Sequence, residues 1–292
     1  MKKTIAFDID GTLLNKSGEL APETFSIFEN PELAESNIIF DTGNTQTICN
    51  ALWAEVIKNF PQISKVKPYL ATVNGSVIYT PSGKVIGNRT LDKQKLLGII
   101  QKIIAFDPEV SIMYPTENIF YIHLTQNEKL RETAFQLLKY EAKKGTLGKP
   151  LDTIEGTVEE VINKLGDVYG LMVFTPNNVN NIMELLKSSF IDEDFGIYYD
   201  PLYNITMLTT GTKWHALNKI VEYEKNTPEL SDFATNASDI YYFGDGDNDC
   251  ECLQKCKFSV ARGKDLPEKV VKSAKYYADD ITEITKMIFK NK

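Results

Sequence analysis

Three short apolar runs, each breaking off in a cluster of acidic and turn-forming residues, constrain this chain more than any other feature. Thr4–Phe7 runs into Asp8, Ile9, Asp10, Gly11 and Thr12, and Asn37–Phe40 into Asp41, Thr42, Gly43 and Asn44. Ile240–Phe243 runs into GDGDND at 244–249. Pro22 fits the first position of a helix carrying Phe25 and Phe28. Ile48, Leu52 and Val56 give 45–60 a helical spacing that Pro61 ends. Strand–helix alternation of this kind predicts a parallel α/β sheet. Ligands of such sheets bind outside the carboxyl ends of the strands, so the three clusters should converge at one edge.

The rhythm returns late in the chain, with a helix from about 213 to 223, the IYYF run, FSVA at 258–261, KYYA at 275–278 and a last helix to Ile288. The middle differs. A hairpin is expected at 76–87, and helical stretches at about 91–105, 128–143, 157–165 and 177–189 alternate with strands SIMY, IFYIHL and YGLMVF. This mixture predicts an α+β layer with helices on one sheet face. The expected organisation is therefore a core of 1–83 plus 196–292, with 84–195 inserted as a second domain. In IFYIHL, Phe120, Ile122 and Leu124 are expected to pack under the helices, leaving Tyr121 and His123 to face the active site as substrate contacts. The alternative is that Tyr121 and His123 line a solvated sheet face.

Carboxylates packed at one edge repel unless they share a hard cation, and an oxygen-rich set with few histidines suits Mg²⁺. The glycines let backbone N–H groups turn toward an anion. A metal, carboxylates and an anion cradle describe phosphoryl chemistry. Two metal alternatives fail on spacing. An EF-hand would need Gly and Glu where Cys250 and Cys256 stand, and Cys250, Cys252 and Cys256 match no common zinc spacing, so buried cysteines are expected. A net charge of −8 disfavours nucleic acid or an anionic membrane as partner. No apolar stretch approaches the roughly 18 residues of a membrane span. MKKTIAFDIDG lacks the form of a signal peptide, so a cytoplasmic location is expected.

The FDIDGT segment, Thr42, Lys213 and GDGDND resemble the four motifs of the haloacid dehalogenase superfamily. Asn74-Gly75 after YLATV, and SVARG at 259–263, resemble its Cof-type sugar-phosphatase branch, which carries a large inserted (type IIB) cap on a Rossmann-like core. The resemblance implies a Mg²⁺-dependent phosphatase acting on a small phosphorylated metabolite, with a sugar phosphate as the expected class. Asp8 would take the phosphoryl group and Asp10 would serve as acid and then base. Asp8, the Asp10 main-chain carbonyl and Asp245 would hold the metal, with Asp249 in support, while Thr42, Gly43, Lys213 and Asn248 bind the phosphoryl oxygens. A phosphomutase or a non-catalytic metabolite sensor on the same fold are the alternatives, and halide displacement leaves Asp10 without a role. Lys213 also follows Gly211-Thr212 at an expected helix start, where a cation opposes the macrodipole and a bound phosphate would offset the misfit. The chain departs from the branch at Asn44, where arginine is usual and a cation near the site mouth is lost. It departs also at Trp214, and at Arg262 and Lys264, which would restore positive charge.

Overall fold

The computed structural model describes residues 2–15, 17–123, 132, 151–175, 178–200, 205–227 and 233–289. The expected helix at 128–143 and Leu124 lie outside this described set. The chain opens with β1 (Thr4–Phe7), α1 (Phe25–Glu29), β2 (Asn37–Asp41), α2 (Gln46–Asn59), β3 (Tyr69–Thr72), β4 (Val77–Tyr79) and β5 (Val85–Asn88). The middle contributes α3 (Lys93–Phe106), β6 (Ser111–Pro115), β7 (Phe120–His123), β8 (Leu151–Ile154), α4 (Val158–Lys164), β9 (Gly170–Phe174), α5 (Val179–Ser189), β10 (Gly196–Asp200) and β11 (Ile205–Thr209). The return comprises α6 (Lys213–Lys225), β12 (Tyr241–Gly244), α7 (Cys250–Lys255), β13 (Phe258–Arg262), α8 (Glu268–Ser273), β14 (Tyr276–Ala278) and α9 (Thr282–Phe289).

The first and last groups form an eight-stranded sheet in the order β14-β13-β12-β1-β2-β3-β4-β5, parallel up to β3, with β4 and β5 as an antiparallel hairpin. Both faces are covered, which is why β1 and β3 read as unbroken apolar runs rather than alternating ones. Phe7 and Phe40 pack with Leu52, Trp53 and Ile288 on one face. Ala6, Ile39 and Tyr242 pack with Leu217, Ile220 and Leu253 on the other. Cys250, Cys252 and Cys256 are free thiols buried in this second cluster, as a small-hydrophobe reading expects. The chain runs from β1 to β2 on one side and returns to β12 on the other, so the crevice between β1 and β12 is a topological switch point.

The smaller sheet has the order β10-β11-β9-β6-β7-β8, antiparallel except for β7 beside β8. Helices α3, α4 and α5 cover one face through Leu96, Ile100, Val161, Ile182 and Leu186. The expected boundaries at 84 and 195 shift accordingly. Val85–Asn88 pairs with β4 and stays in the core sheet, whereas β10 pairs with β11, and β11 with β9, so both belong to the smaller sheet of the insertion. Entry and exit of the insertion are tied together. Arg89 N–H donates to the Ser76 carbonyl at 2.9 Å, Thr210 N–H to the Tyr169 carbonyl at 3.0 Å and Gly211 N–H to Ser76 Oγ at 3.0 Å.

The assignment of faces on β7 is reversed. Tyr121 packs into the helix-facing cluster beside its cross-strand partner Tyr114, and Phe120 joins Met172, Phe174 and Ile205 on the opposite face. His123 places Nε2 2.8 Å from the Gly156 carbonyl. The expectation took tyrosine as the polar partner of isoleucine, but its ring carries as much apolar area as an aliphatic side chain. The face opposite the helices is itself an apolar layer rather than a solvated one. Tyr121 and His123 therefore do not face the core.

On α6, Glu224 points inward, and its Oε1 finds no hydrogen-bond partner among the described residues. Burial pushes its carboxyl up to about 6. A raised folded-state value means the group's stabilising protonation is complete at low pH and is lost as pH rises through about 6. Glu224→Gln should therefore raise Tm at pH 8, on the order of a few degrees, and leave it unchanged near pH 4, as thermal scans at the two pH values will show.

Candidate active site

The parallel register Phe7↔Phe243 sets the ends of β1 and β12 side by side, and Asp8 N–H donates to the Phe243 carbonyl at 2.9 Å. Carboxylate oxygens of Asp8, Asp245 and Asp249 consequently lie within 4.8 Å of one another. Lys213 is fully buried and donates to Asp8 Oδ1 at 2.5 Å and to Asp249 Oδ1 at 2.7 Å. The cation at the start of α6 is thus offset by two carboxylates. Thr212 caps that helix by accepting from His215 N–H at 3.0 Å.

Asp249 is saturated. Its Oδ1 accepts from Lys213 and from the Tyr242 hydroxyl at 2.6 Å, and its Oδ2 from the N–H groups of Asp245 at 3.0 Å and Gly246 at 2.9 Å. Four bonds fill a carboxylate's acceptor capacity, so Asp249 braces the 245–249 turn. Asp245 Oδ1 accepts from Thr12 Oγ1 at 2.9 Å. Asp8 and Asp245 each keep one oxygen without a protein donor among the described residues.

Burial, then the neighbouring negative charges of Asp249 and Asp10, push Asp8 up to about 7 against the pull of Lys213. Asp245 is raised well above the carboxylate range by burial and by Asp8 and Asp249. Burial opposes the charge of Lys213, but Asp249, Asp8 and Asp41 outweigh it and hold the ammonium well above its usual value. Three carboxylates, two of them buried and that of Asp245 half-buried, against one ammonium leave excess negative charge. Together with the uncommitted oxygens, this donor set fits a hard divalent cation.

The second cluster comes to the same crevice. Asn44 Nδ2 donates to Asp10 Oδ2 at 2.8 Å and to Thr42 Oγ1 at 3.1 Å. Asn248 Nδ2 donates to Asn74 Oδ1 at 2.8 Å, and Asn74 N–H to the Thr42 carbonyl at 2.8 Å, so the 42–44 and 245–249 turns are linked through Asn74. Gly43 sits against Asn74, where an added Cβ would lie 3.5 Å from its Oδ1.

Two expectations about charge change here. Asn44 is fully buried, so its position lies beneath the site and not at a mouth. Arg262 offers no free charge to the site, because its guanidinium is buried. It donates to the Gly11 carbonyl at 2.9 Å and the Asp279 carbonyl at 3.2 Å, and contacts Glu23 Oε2 at 3.3 Å. Lys264 pairs with Asp279 at 3.3 Å.

A family profile described as haloacid dehalogenase-like hydrolase matches residues 5–287. The chain belongs to this family. MG265 of Mycoplasma genitalium, provisionally named a phosphatase, is 23% identical over 92% of this chain and 91% of its own length. The 5-amino-6-(5-phospho-D-ribitylamino)uracil phosphatase YbjI of Escherichia coli is 22% identical over 94% and 90%. Among solved structures, that of BT4131, a subclass IIB sugar phosphatase of the haloacid dehalogenase superfamily, superposes with a TM-score of 0.72 at 20% identity. The match covers 98% of this chain and 99% of that one, so the capped two-sheet fold is shared throughout.

Within this haloacid dehalogenase-like site, the sequence marks Thr12, Asp41 and Asn74 as members of polar segments without giving them a role, and does not single out Tyr242. Asp41 is fully buried with neither oxygen hydrogen-bonded among the described residues, and burial raises it well above the carboxylate range. Alternation along β12 was the available signal for Tyr242, since it places that residue on the face that carries Lys213's helix. Tyr198 on β10 was also missed. It shares the apolar face of the small sheet with Met207, and Lys213 and Glu251 are close enough to act on its hydroxyl.

Gly11 has φ +80°, and an added Cβ would fall 2.1 Å from Asp245 Oδ2. Gly83 has φ +84° with open space around it. Both Ala variants should lose about 1 kcal/mol or more to backbone strain. Only Gly11→Ala should also displace Asp245, so any divalent cation held by that carboxylate should bind roughly tenfold or more weakly in that variant alone. Calorimetric titration of both variants with Mg²⁺ checks this.

Proposed function

We propose that this hydrolase is a Mg²⁺-dependent phosphatase of small phosphorylated metabolites, sugar phosphates foremost, working through an aspartyl-phosphate on Asp8. The observation that carries the reading is Asp8 held at the switch point between Lys213 and Asp245, with Asp10 two residues on. The named activities of YbjI and BT4131 support the substrate class.

Asp8, Asp245 and the main-chain carbonyl of Asp10 would hold the ion, with Asp249 bracing their turn. When bound, the ion neutralises charge on the phosphoryl oxygens and lets Asp8 stay ionised despite its burial. A carboxylate oxygen of Asp8 attacks phosphorus while Lys213, fixed by Asp8 and Asp249, balances charge on the transferring group. Thr42, the Gly43 N–H and Asn248 bind the remaining oxygens. Asp10 gives its proton to the leaving alkoxide and then takes one from the water that cleaves the aspartyl-phosphate. The inserted domain covers the crevice, excludes water during the first transfer and sets specificity.

A phosphate-release screen over sugar phosphates, nucleotides, pyridoxal phosphate and flavin mononucleotide, with and without chelator, tests the reading. Stoichiometric free phosphate is expected, which a mutase would not give, and chelator should abolish it. Asp8→Asn should lose about 10⁴-fold or more in kcat. Asp10→Asn should lose about 10²- to 10⁴-fold. Release that persists undiminished in Asp8→Asn would overturn the mechanism.

A further inference from the structure

We propose that Asn44 is a positioning residue that locks Asp10 and Thr42 into one unit. Its amide nitrogen has two hydrogens, and each has its own partner: Asp10 Oδ2 at 2.8 Å and Thr42 Oγ1 at 3.1 Å. Asn44 main-chain N–H also donates to Thr42 Oγ1 at 3.1 Å, and its carbonyl accepts from Val73 N–H at 2.9 Å, so the residue is fixed at both ends. The opposite amide orientation would press Oδ1 against the ionised carboxylate of Asp10, oxygen to oxygen, and would leave Thr42 Oγ1 without its second donor.

The consequence for Thr42 follows from counting. A hydroxyl has two acceptor sites and one hydrogen to donate. Asn44 fills both acceptor sites of Thr42, leaving the hydroxyl hydrogen to be donated to a further acceptor. The same amide holds Asp10 by its Oδ2 and so sets the direction of the other carboxylate oxygen. One buried side chain thereby couples the proton-transferring group to a phosphoryl-binding group. Arginine at this position would bring the wrong length and a charge. Asparagine brings two short neutral donors, and the carbonyl Oδ1 stays without a partner among the described residues. Packing alone would not select a residue that leaves a buried carbonyl unpaired.

This inference rests on Asp10 serving as acid and base, and the test separates the two ideas. Asn44→Asp keeps the shape and replaces the NH₂ donor by oxygen, and Asn44→Ala removes the bridge outright. Values of kcat/KM report transfer onto Asp8 for an alkyl phosphate, whose leaving group needs the proton of Asp10, and for p-nitrophenyl phosphate, whose leaving group does not. The ratio of alkyl to aryl kcat/KM should fall by about tenfold or more in both variants. An equal loss on both substrates would mean that Asn44 only supports packing, and would overturn the proposal. A second readout needs no turnover. In ¹H–¹⁵N spectra the side-chain amide of Asn44, identified by its absence in Asn44→Asp, should have one proton shifted by Asp10→Ala and the other by Thr42→Val. Both protons unmoved in both variants would overturn the bridge. If the wild-type protein releases phosphate from no ester, the phosphatase reading falls and the amide shifts alone decide the bridge.

Discussion

The buried ammonium of Lys213 between Asp8 and Asp249 is the interaction on which the rest of the crevice depends. Three carboxylates brought from distant parts of the chain to the ends of β1 and β12 would repel one another in a water-poor site. Lys213 neutralises one charge, and the Asp249 carboxylate spends its remaining capacity on Tyr242 and two backbone amides. What survives is a directed shortage of positive charge at Asp8 and Asp245. Such a deficit is relieved either by protonation, toward which burial already pushes Asp8 and Asp245, or by a bound cation.

Much of this was legible before any coordinates. The unbroken apolar runs at 4–7, 37–40 and 240–243 are what a sheet covered on both faces requires, and the polar residues after them mark its ligand-binding edge. Spacing also located α2 and α6 to within a few residues. The insertion was harder to read. GIYYD at 196–200 and ITMLT at 205–209 are short antiparallel strands joined to the insertion through pairing of the second with β9, which leaves no local signature, so the sequence pattern alone places them in the core. On β7 the pattern was seen but its sense was not, because Tyr121 and Phe120 differ by one hydroxyl while packing against opposite neighbours.

Within the site, residue types were readable and partners were not. Asp8, Asp10, Asp245 and Asp249 announce themselves by density. Nothing in the chain says that Tyr242 reaches Asp249, that Asn74 ties Asn248 to the Thr42 turn, or that Arg262 is consumed by the Gly11 carbonyl. These are consequences of strand register, which depends on long-range pairing. The departures at Asn44 and Arg262 first read as changes in surface charge. Both turned out to be buried donors to the loops that carry the acidic residues.

The meeting of Arg89, Thr210 and Gly211 over Ser76 and Tyr169 has an architectural consequence. Because the hydroxyl of Thr210 donates to the Arg89 carbonyl, the two ends of the inserted segment touch, and the host sheet needs no wide gap to accommodate it. Whatever stretch of polypeptide begins and ends at that joint leaves the strand order of the core unchanged. A different segment can therefore be carried between these two ends while the sheet beneath is inherited intact.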